Sequence, residues 1–313
     1  MSTLNKDQKI ENAIFIIGCD RSGTTFLGSL IGAHSQCIVT PESQFKTDCY
    51  SEEEQSFFNP QKTFQKIKET KRFKIWDADI SFTDTEYDKI KNYPDLILKI
   101  VEKYNINKQH KKSVKFWVDH TPINVEYVDL LKSFYPNAKF LHIIRDGRGV
   151  AASFKNVTWG PKSMYDIANF WLTKLAYGFA YERKYPQDIL SVRYEDILEN
   201  TENTIKKITD FIGIDYEPNM LEANGLIVPT YTKHQHELVG QKADKSRIKA
   251  WAKTLSEREI ELFEYKTRNM LHLLGYQTLF AKPGREKRHE RITFVLTQKY
   301  KRFLNKWKKR LKL

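Results

Sequence analysis

The sequence predicts an α/β fold with a central, mainly parallel sheet flanked by helices, and three observations carry that expectation. Short apolar runs at Ile14–Gly18, Val114–Val118, Lys139–Ile144 and Ile189–Arg193 read as buried strands, and the stretches between them read as helical. A glycine-bearing loop joins the first run to a segment with helical apolar spacing, Phe26, Leu27, Leu30 and Ile31. The segments richest in chemistry-bearing residues fall just after predicted strands, at the carboxyl end of the sheet where such folds hold ligands.

In chain order, Ile14–Gly18 forms the first strand and Thr24 to about His34 the first helix. A second β-like run, Cys37–Thr40, leads into Pro41-Glu42. Residues 50–112 are charged, aromatic and poor in alternation, so they are expected to form a helical, variable region, where specificity for a bound molecule would lie. Val114–Val118 is followed by the turn Asp119-His120-Thr121-Pro122 and a helix from Asn124 to Phe134. Lys139–Ile144 runs into Arg145-Asp146-Gly147-Arg148 and a helix through Val150 and Phe154, and Ile189–Arg193 closes the series. No internal repeat is visible. The linker Lys282-Pro283-Gly284 divides a main domain, 1–281, from a tail, 282–313.

With 313 residues, 40% of them hydrophobic, the chain can fill a substantial core. Ile14–Ile17 is too short for a signal-peptide core or a membrane span. Cys19, Cys37 and Cys49 have neither the even count of a disulfide framework nor paired zinc spacing. They read as free thiols in a reducing compartment, which makes the cytoplasm the expected location. Residues 282–313 carry +11 of the net charge of +13, so the main domain is nearly neutral. That distribution, with no aromatic signature of RNA-binding modules, argues against a nucleic-acid partner.

Gly18-Cys19-Asp20-Arg21-Ser22-Gly23-Thr24-Thr25 has the G-x4-G spacing of a P-loop, and its glycines allow backbone N–H groups to turn around an anion. The Lys-[Ser/Thr] pair that ends a nucleoside-triphosphatase loop is Thr24-Thr25 here, a poor fit to a triphosphate with magnesium. A cation comes earlier instead, at Arg21, whose planar guanidinium can grip an oxyanion.

Arg21-Ser22-Gly23-Thr24-Thr25 resembles the 5′-phosphosulfate loop of sulfotransferases that use 3′-phosphoadenosine 5′-phosphosulfate (PAPS). The segment Lys139–Phe154 is similar to the 3′-phosphate-binding segment of that family, which would give Arg145 and Ser153, eight residues apart, to the 3′-phosphate. Val192-Arg193-Tyr194-Glu195-Asp196 resembles the segment whose tyrosine lies beside the adenine, and Lys245–Trp251 the late basic loop, implying Ser246 and Arg247 as donor-binding residues. The likeness covers about residues 13–45 and 114–255 and implies a P-loop-like, three-layer fold and transfer of a sulfuryl group to an acceptor hydroxyl, on a glycan, a glycolipid or a tyrosine.

The same resemblance implies Glu42 as the base and Arg21 as stabiliser of the departing oxygen. His120 stands where the family often has a lysine, so it is either a donor to the leaving oxygen, an alternative base, or a histidine ordered by Asp119. No metal is expected. Two other readings stay open: a P-loop small-molecule kinase, and a non-catalytic protein tethered to an anionic surface. In the tail, Ile292, Leu296, Tyr300, Phe303, Trp307 and Leu311 align along one side of a helix opposite many cations. Such a helix suits the periphery of an anionic membrane, while packing on the main domain or docking to a protein would use the same stripe.

Overall fold

The computed structural model describes residues 10–157, 159–229, 239–287 and 290. The first half contains β1 (Asn12–Gly18), α1 (Thr24–Gly32), β2 (Cys37–Val39), α2 (Phe45–Asp48), α3 (Pro60–Glu69), α4 (Lys71–Lys74), α5 (Asp84–Tyr87), α6 (Tyr93–Tyr104), β3 (Phe116–Asp119) and α7 (Val128–Phe134). The second half contains β4 (Lys139–Ile144), α8 (Gly147–Lys155), α9 (Met164–Lys184), β5 (Ile189–Arg193), α10 (Tyr194–Glu199), α11 (Thr201–Ile212), α12 (Trp251–Thr254) and α13 (Glu257–Leu273). These residues form two compact units: residues up to Arg145 with Lys174–Lys245, and Asp146–Thr173 with the residues from Ser246 onward.

The first unit holds a five-stranded sheet in the order β2-β3-β1-β4-β5. Every pairing is parallel. From the centre, the chain leaves β1 toward β2 on one side and β4 toward β5 on the other, which makes β1 and β4 the topological switch point. Burial of the strands explains their apolar runs. Phe15 of β1 is fully buried between Trp117 and Phe140, with ring centroids 5.6 and 5.4 Å away. A second aromatic group, Phe45, Phe73 and Trp76, ties α2 to α4 and the turn after it.

Two of the boundaries that differ from expectation have a visible cause. Strand β3 begins at Phe116, because the N–H groups of Lys115 and Phe116 both donate to Gln36 O, at 2.9 and 3.0 Å, ahead of the regular ladder. The helix expected over 124–134 splits into a 3₁₀ turn, Pro122–Glu126, and α7. The Asn124 side chain is bonded to Asp119, which holds that turn back from the helix.

In the second unit, the Asp146 carboxylate caps α8 by accepting from Arg148 N at 2.9 Å. The buried Arg148 guanidinium pairs with Asp146 and Glu264 at 2.7 and 2.8 Å and lies 4.0 Å from the centroid of Trp251. Most of the tail, residues 288–289 and 291–313, lies outside the described residues, and with it the amphipathic stripe from Ile292 to Leu311.

Phe15→Ala removes a side chain that bridges three strands and is expected to cost about 3–5 kcal/mol of stability. Urea denaturation of the variant beside the wild type checks this.

Candidate active site

The loop after β1 is built on unusual backbone angles. Gly18 has φ 145°, and a Cβ there would lie 2.5 Å from Ile143 O, so only glycine lets β1 end against β4. Gly23 has φ 98°, and a Cβ there would meet the Tyr194 ring at 2.6 Å. Between them Arg21 is left-handed at φ 67°, a conformation that costs a non-glycine residue roughly 1 kcal/mol. Ser22 N closes the loop onto Cys19 O at 3.2 Å. Helix α1 then starts with no side-chain cap, so its first N–H groups face the loop without one. The Ser22 hydroxyl is buried and has no hydrogen-bond partner among the described residues, an arrangement that suits a loop shaped for a ligand.

Arg145 leaves the end of β4 and donates from Nη1 to Arg21 O at 2.8 Å, bridging the loops on either side of the switch point. Its guanidinium lies 4.1 Å from the centroid of Tyr194, the first residue after β5. Burial, and then the neighbouring Arg145 charge, hold the Arg21 guanidinium below its ordinary value. Two like charges drawn together in partial burial favour an anion between or beside them.

The other half of the site follows β2 and β3. Asp119 at the end of β3 is 0% exposed. Its carboxylate accepts from Thr121 N at 2.9 Å, Asn124 Nδ2 at 2.7 Å and Ser43 Oγ. Lys46 of α2, 1% exposed, lies 3.4 Å from Asp119 Oδ2 and donates to Asn124 Oδ1 at 2.6 Å. Ser43 N donates to Thr121 Oγ1 at 2.9 Å, so the turn Thr40–Ser43 is fastened to the turn after β3. Burial opposes the Asp119 charge, but Lys46 and these donors outweigh it and hold the carboxyl below its usual range. Burial pulls the Lys46 ammonium below its own ordinary value.

Glu42 rides on that fastened turn, with its side chain 26% exposed. Arg72 Nη1 donates to Oε2 at 3.0 Å and Trp76 Nε1 to the Glu42 carbonyl at 3.2 Å. Loss of hydration pushes the Glu42 carboxyl above its ordinary value; Arg72 acts against this shift and the Asp119 charge adds to it. His120 packs on α1, where a Cβ at Gly28 would be 3.1 Å from its own Cβ. Burial lowers its imidazole to about 4, which makes it neutral at neutral pH. Its Nδ1 lies 3.4 Å from Thr25 Oγ1, and its Nε2 is buried without a hydrogen-bond partner among the described residues.

Arg21, Ser22, Gly23, Thr24, Thr25, Glu42, His120, Arg145 and Tyr194 thus lie in one unit, after the carboxyl ends of its strands. Ser153, in α8, and Ser246 and Arg247, in the 3₁₀ turn Lys245–Arg247, belong to the second unit. Two expectations meet a different arrangement. The Tyr194 ring offered to a purine is only 2% exposed and carries Arg145 on its face, so it braces the arginine. The Asp119 expected to order His120 directs its carboxylate to Ser43, Thr121, Asn124 and Lys46, while the imidazole nitrogen that has a partner faces Thr25. Lys46 and Arg72 were missed; in sequence they look like two more lysine-rich surface positions, and only Pro41-Glu42 nearby hints otherwise.

Comparison with known proteins bears on the family and the fold. Residues 13–218 match the sulfotransferase family. A Caenorhabditis briggsae protein named “Putative protein-tyrosine sulfotransferase” is 24% identical over 297 residues, covering 87% of this chain and 92% of its own. Among solved structures, the sulfotransferase domain of the Synechococcus PCC 7002 olefin synthase superposes with a TM-score of 0.61 at 16% identity, over 87% of this chain and 98% of that one. The sulfotransferase domain of the curacin biosynthetic pathway gives 0.58 at 18% identity, over 86% and 99%. At these identities the two structures speak for the fold.

Lys46→Met leaves the Asp119 carboxylate buried without its cation and is expected to cost about 3–5 kcal/mol, part of which Lys46→Met with Asp119→Asn regains. The pH dependence has a definite sign. With its folded value depressed, Asp119 contributes stability that is fully present above the unfolded value of about 3.9 and lost as pH falls through the lower folded one. Urea unfolding should therefore show the wild type losing more stability than Asp119→Asn below about pH 4.

Proposed function

The chain belongs to the sulfotransferase family, and from that membership and the site above we propose that it moves a sulfuryl group from PAPS to an acceptor hydroxyl, with Glu42 as the base. The observation that carries this reading is the Arg145 bond to the carbonyl of Arg21, which sets two guanidinium groups at one glycine loop. The residues fit the donor: among the described residues the buried Ser22 hydroxyl has no hydrogen-bond partner, and the first N–H groups of α1 have no side-chain cap. Arg21, Ser22, Gly23, Thr24 and Thr25 would hold its 5′ end. Arg145 and Ser153 would hold the 3′-phosphate, with Ser246 and Arg247 as further contacts and Tyr194 bracing Arg145.

PAPS supplies the sulfuryl group and leaves as the bisphosphate, PAP. The acceptor oxygen forms the new O–S bond as the S–O bond to the phosphate breaks, and Glu42 takes the hydroxyl proton. A carboxylate raised by burial has more affinity for that proton than an exposed glutamate has, which suits a base near neutral pH. Arg21 stabilises charge on the departing oxygen. Burial makes the protonated form of His120 expensive, which speaks against it as the base. Thr24, standing where a kinase loop has lysine, speaks against the kinase reading. The name of the nematode relative makes a tyrosine peptide the first acceptor to assay, beside a glycan and a glycolipid.

By calorimetry, Arg145→Ala should weaken PAP binding by about 1.5–3 kcal/mol. Wild-type binding in that variant removes Arg145 from the 3′-phosphate. Glu42→Gln should bind PAP normally and lose about 10²- to 10⁴-fold in turnover. An active Glu42→Gln beside a folded but inactive His120→Ala would transfer the base to His120.

A further inference from the structure

The segment from Thr70 to Trp76 touches Glu42 twice, through the Arg72 guanidinium on the carboxylate and the Trp76 indole on the carbonyl. Its own position is well determined. Thr70 caps the short α4 by accepting from Phe73 N at 3.1 Å, and Phe73 and Trp76 are buried against Phe45. Arg72 is therefore presented from an anchored turn while 43% of its side chain stays exposed. Its bond is to Oε2, and Oε1 of Glu42 has no hydrogen-bond partner among the described residues.

We propose that Arg72 is a positioning residue for the transfer: it fixes the Glu42 carboxylate by one oxygen and leaves the other to accept the acceptor's proton. The proposal rests on the reading of Glu42 as the base. A planar guanidinium on one oxygen selects one orientation of a carboxylate that would otherwise rotate on a half-buried turn. It also sets the proton affinity of that carboxylate. The charged groups that act on Glu42 are Arg72 from α4, Asp119 from the end of β3, Arg21 from the glycine loop and Lys46 from α2, and Glu42 in turn acts on Asp20. Among these cations Arg72 has the largest effect. Removing it takes away a charge that favours the carboxylate, so the group should hold its proton to higher pH.

The test uses the full chain with PAPS and the best acceptor found, comparing Arg72→Met, Arg72→Lys, Glu42→Gln and Arg72→Met with Glu42→Gln. Arg72→Met should bind PAP like the wild type, lose on the order of tenfold in kcat, and move the acid limb of kcat/KM upward by about one pH unit. Arg72→Lys should restore most of both. In the Glu42→Gln background, Arg72→Met should cost nothing further, because there is no base left to position. An acid limb unmoved in Arg72→Met, or the same loss with and without Glu42, overturns the proposal while leaving Glu42 as base. Full activity of Glu42→Gln alone overturns the reading beneath it as well.

Discussion

A fully buried carboxylate must be satisfied, and in this protein that demand organises the ends of two strands. Asp119 closes β3 inside the first unit, where an unpaired charge would be severely destabilising. Lys46, Ser43, Asn124 and the Thr121 N–H converge on it, from turns and the short helix α2 that follow the two strands. The exit from β2 is thereby locked to the exit from β3. Glu42, one residue before Ser43, takes its place from that lock, and the helix expected at Asn124 gives way to a 3₁₀ turn for the same reason.

On the other side of β1 the constraint is a concentration of positive charge. Arg21 adopts a left-handed backbone, and its carbonyl is turned to receive Arg145. Tyr194 supports the second arginine through its ring face, and the absence of a side chain at Gly23 admits that ring. Strain in the loop and proximity of like charges both work against stability here. Such features persist where binding an anion offsets them, and they coincide with the Ser22 hydroxyl, which is buried with no hydrogen-bond partner among the described residues.

The two halves differ in how they handle charge, and that difference suits the roles proposed for them. Around Asp119 the charges are matched and closed off from water, which makes a rigid frame. At Glu42 they are only partly matched, since Arg72 engages one oxygen and the turn leaves the side chain a quarter exposed. A base needs this incomplete satisfaction, because a carboxylate with every lone pair bonded holds its charge too well to take a proton.

Much of this was legible in the sequence. β4 and β5 run over the expected residues, and the glycine loop lies between β1 and α1 as its spacing required. Apolar runs and glycine positions act through neighbours in the chain, so their meaning survives without the rest of the molecule. The family likeness drew attention to Arg21, Glu42 and Arg145, which do gather in one unit. Their partners were not legible. Arg72 reaches Glu42 from 30 residues away, and Arg145 reaches the Arg21 carbonyl across 124. Lys46 reads as an ordinary surface lysine, and nothing local to Tyr194 tells that its ring faces Arg145. By itself the sequence determined the order of strands, the loop and the identity of the charged residues, all of which depend on local spacing. Which charge faces which, and which are shut away from water, was decided only by tertiary structure, because desolvation and pairing depend on distances that the fold alone sets.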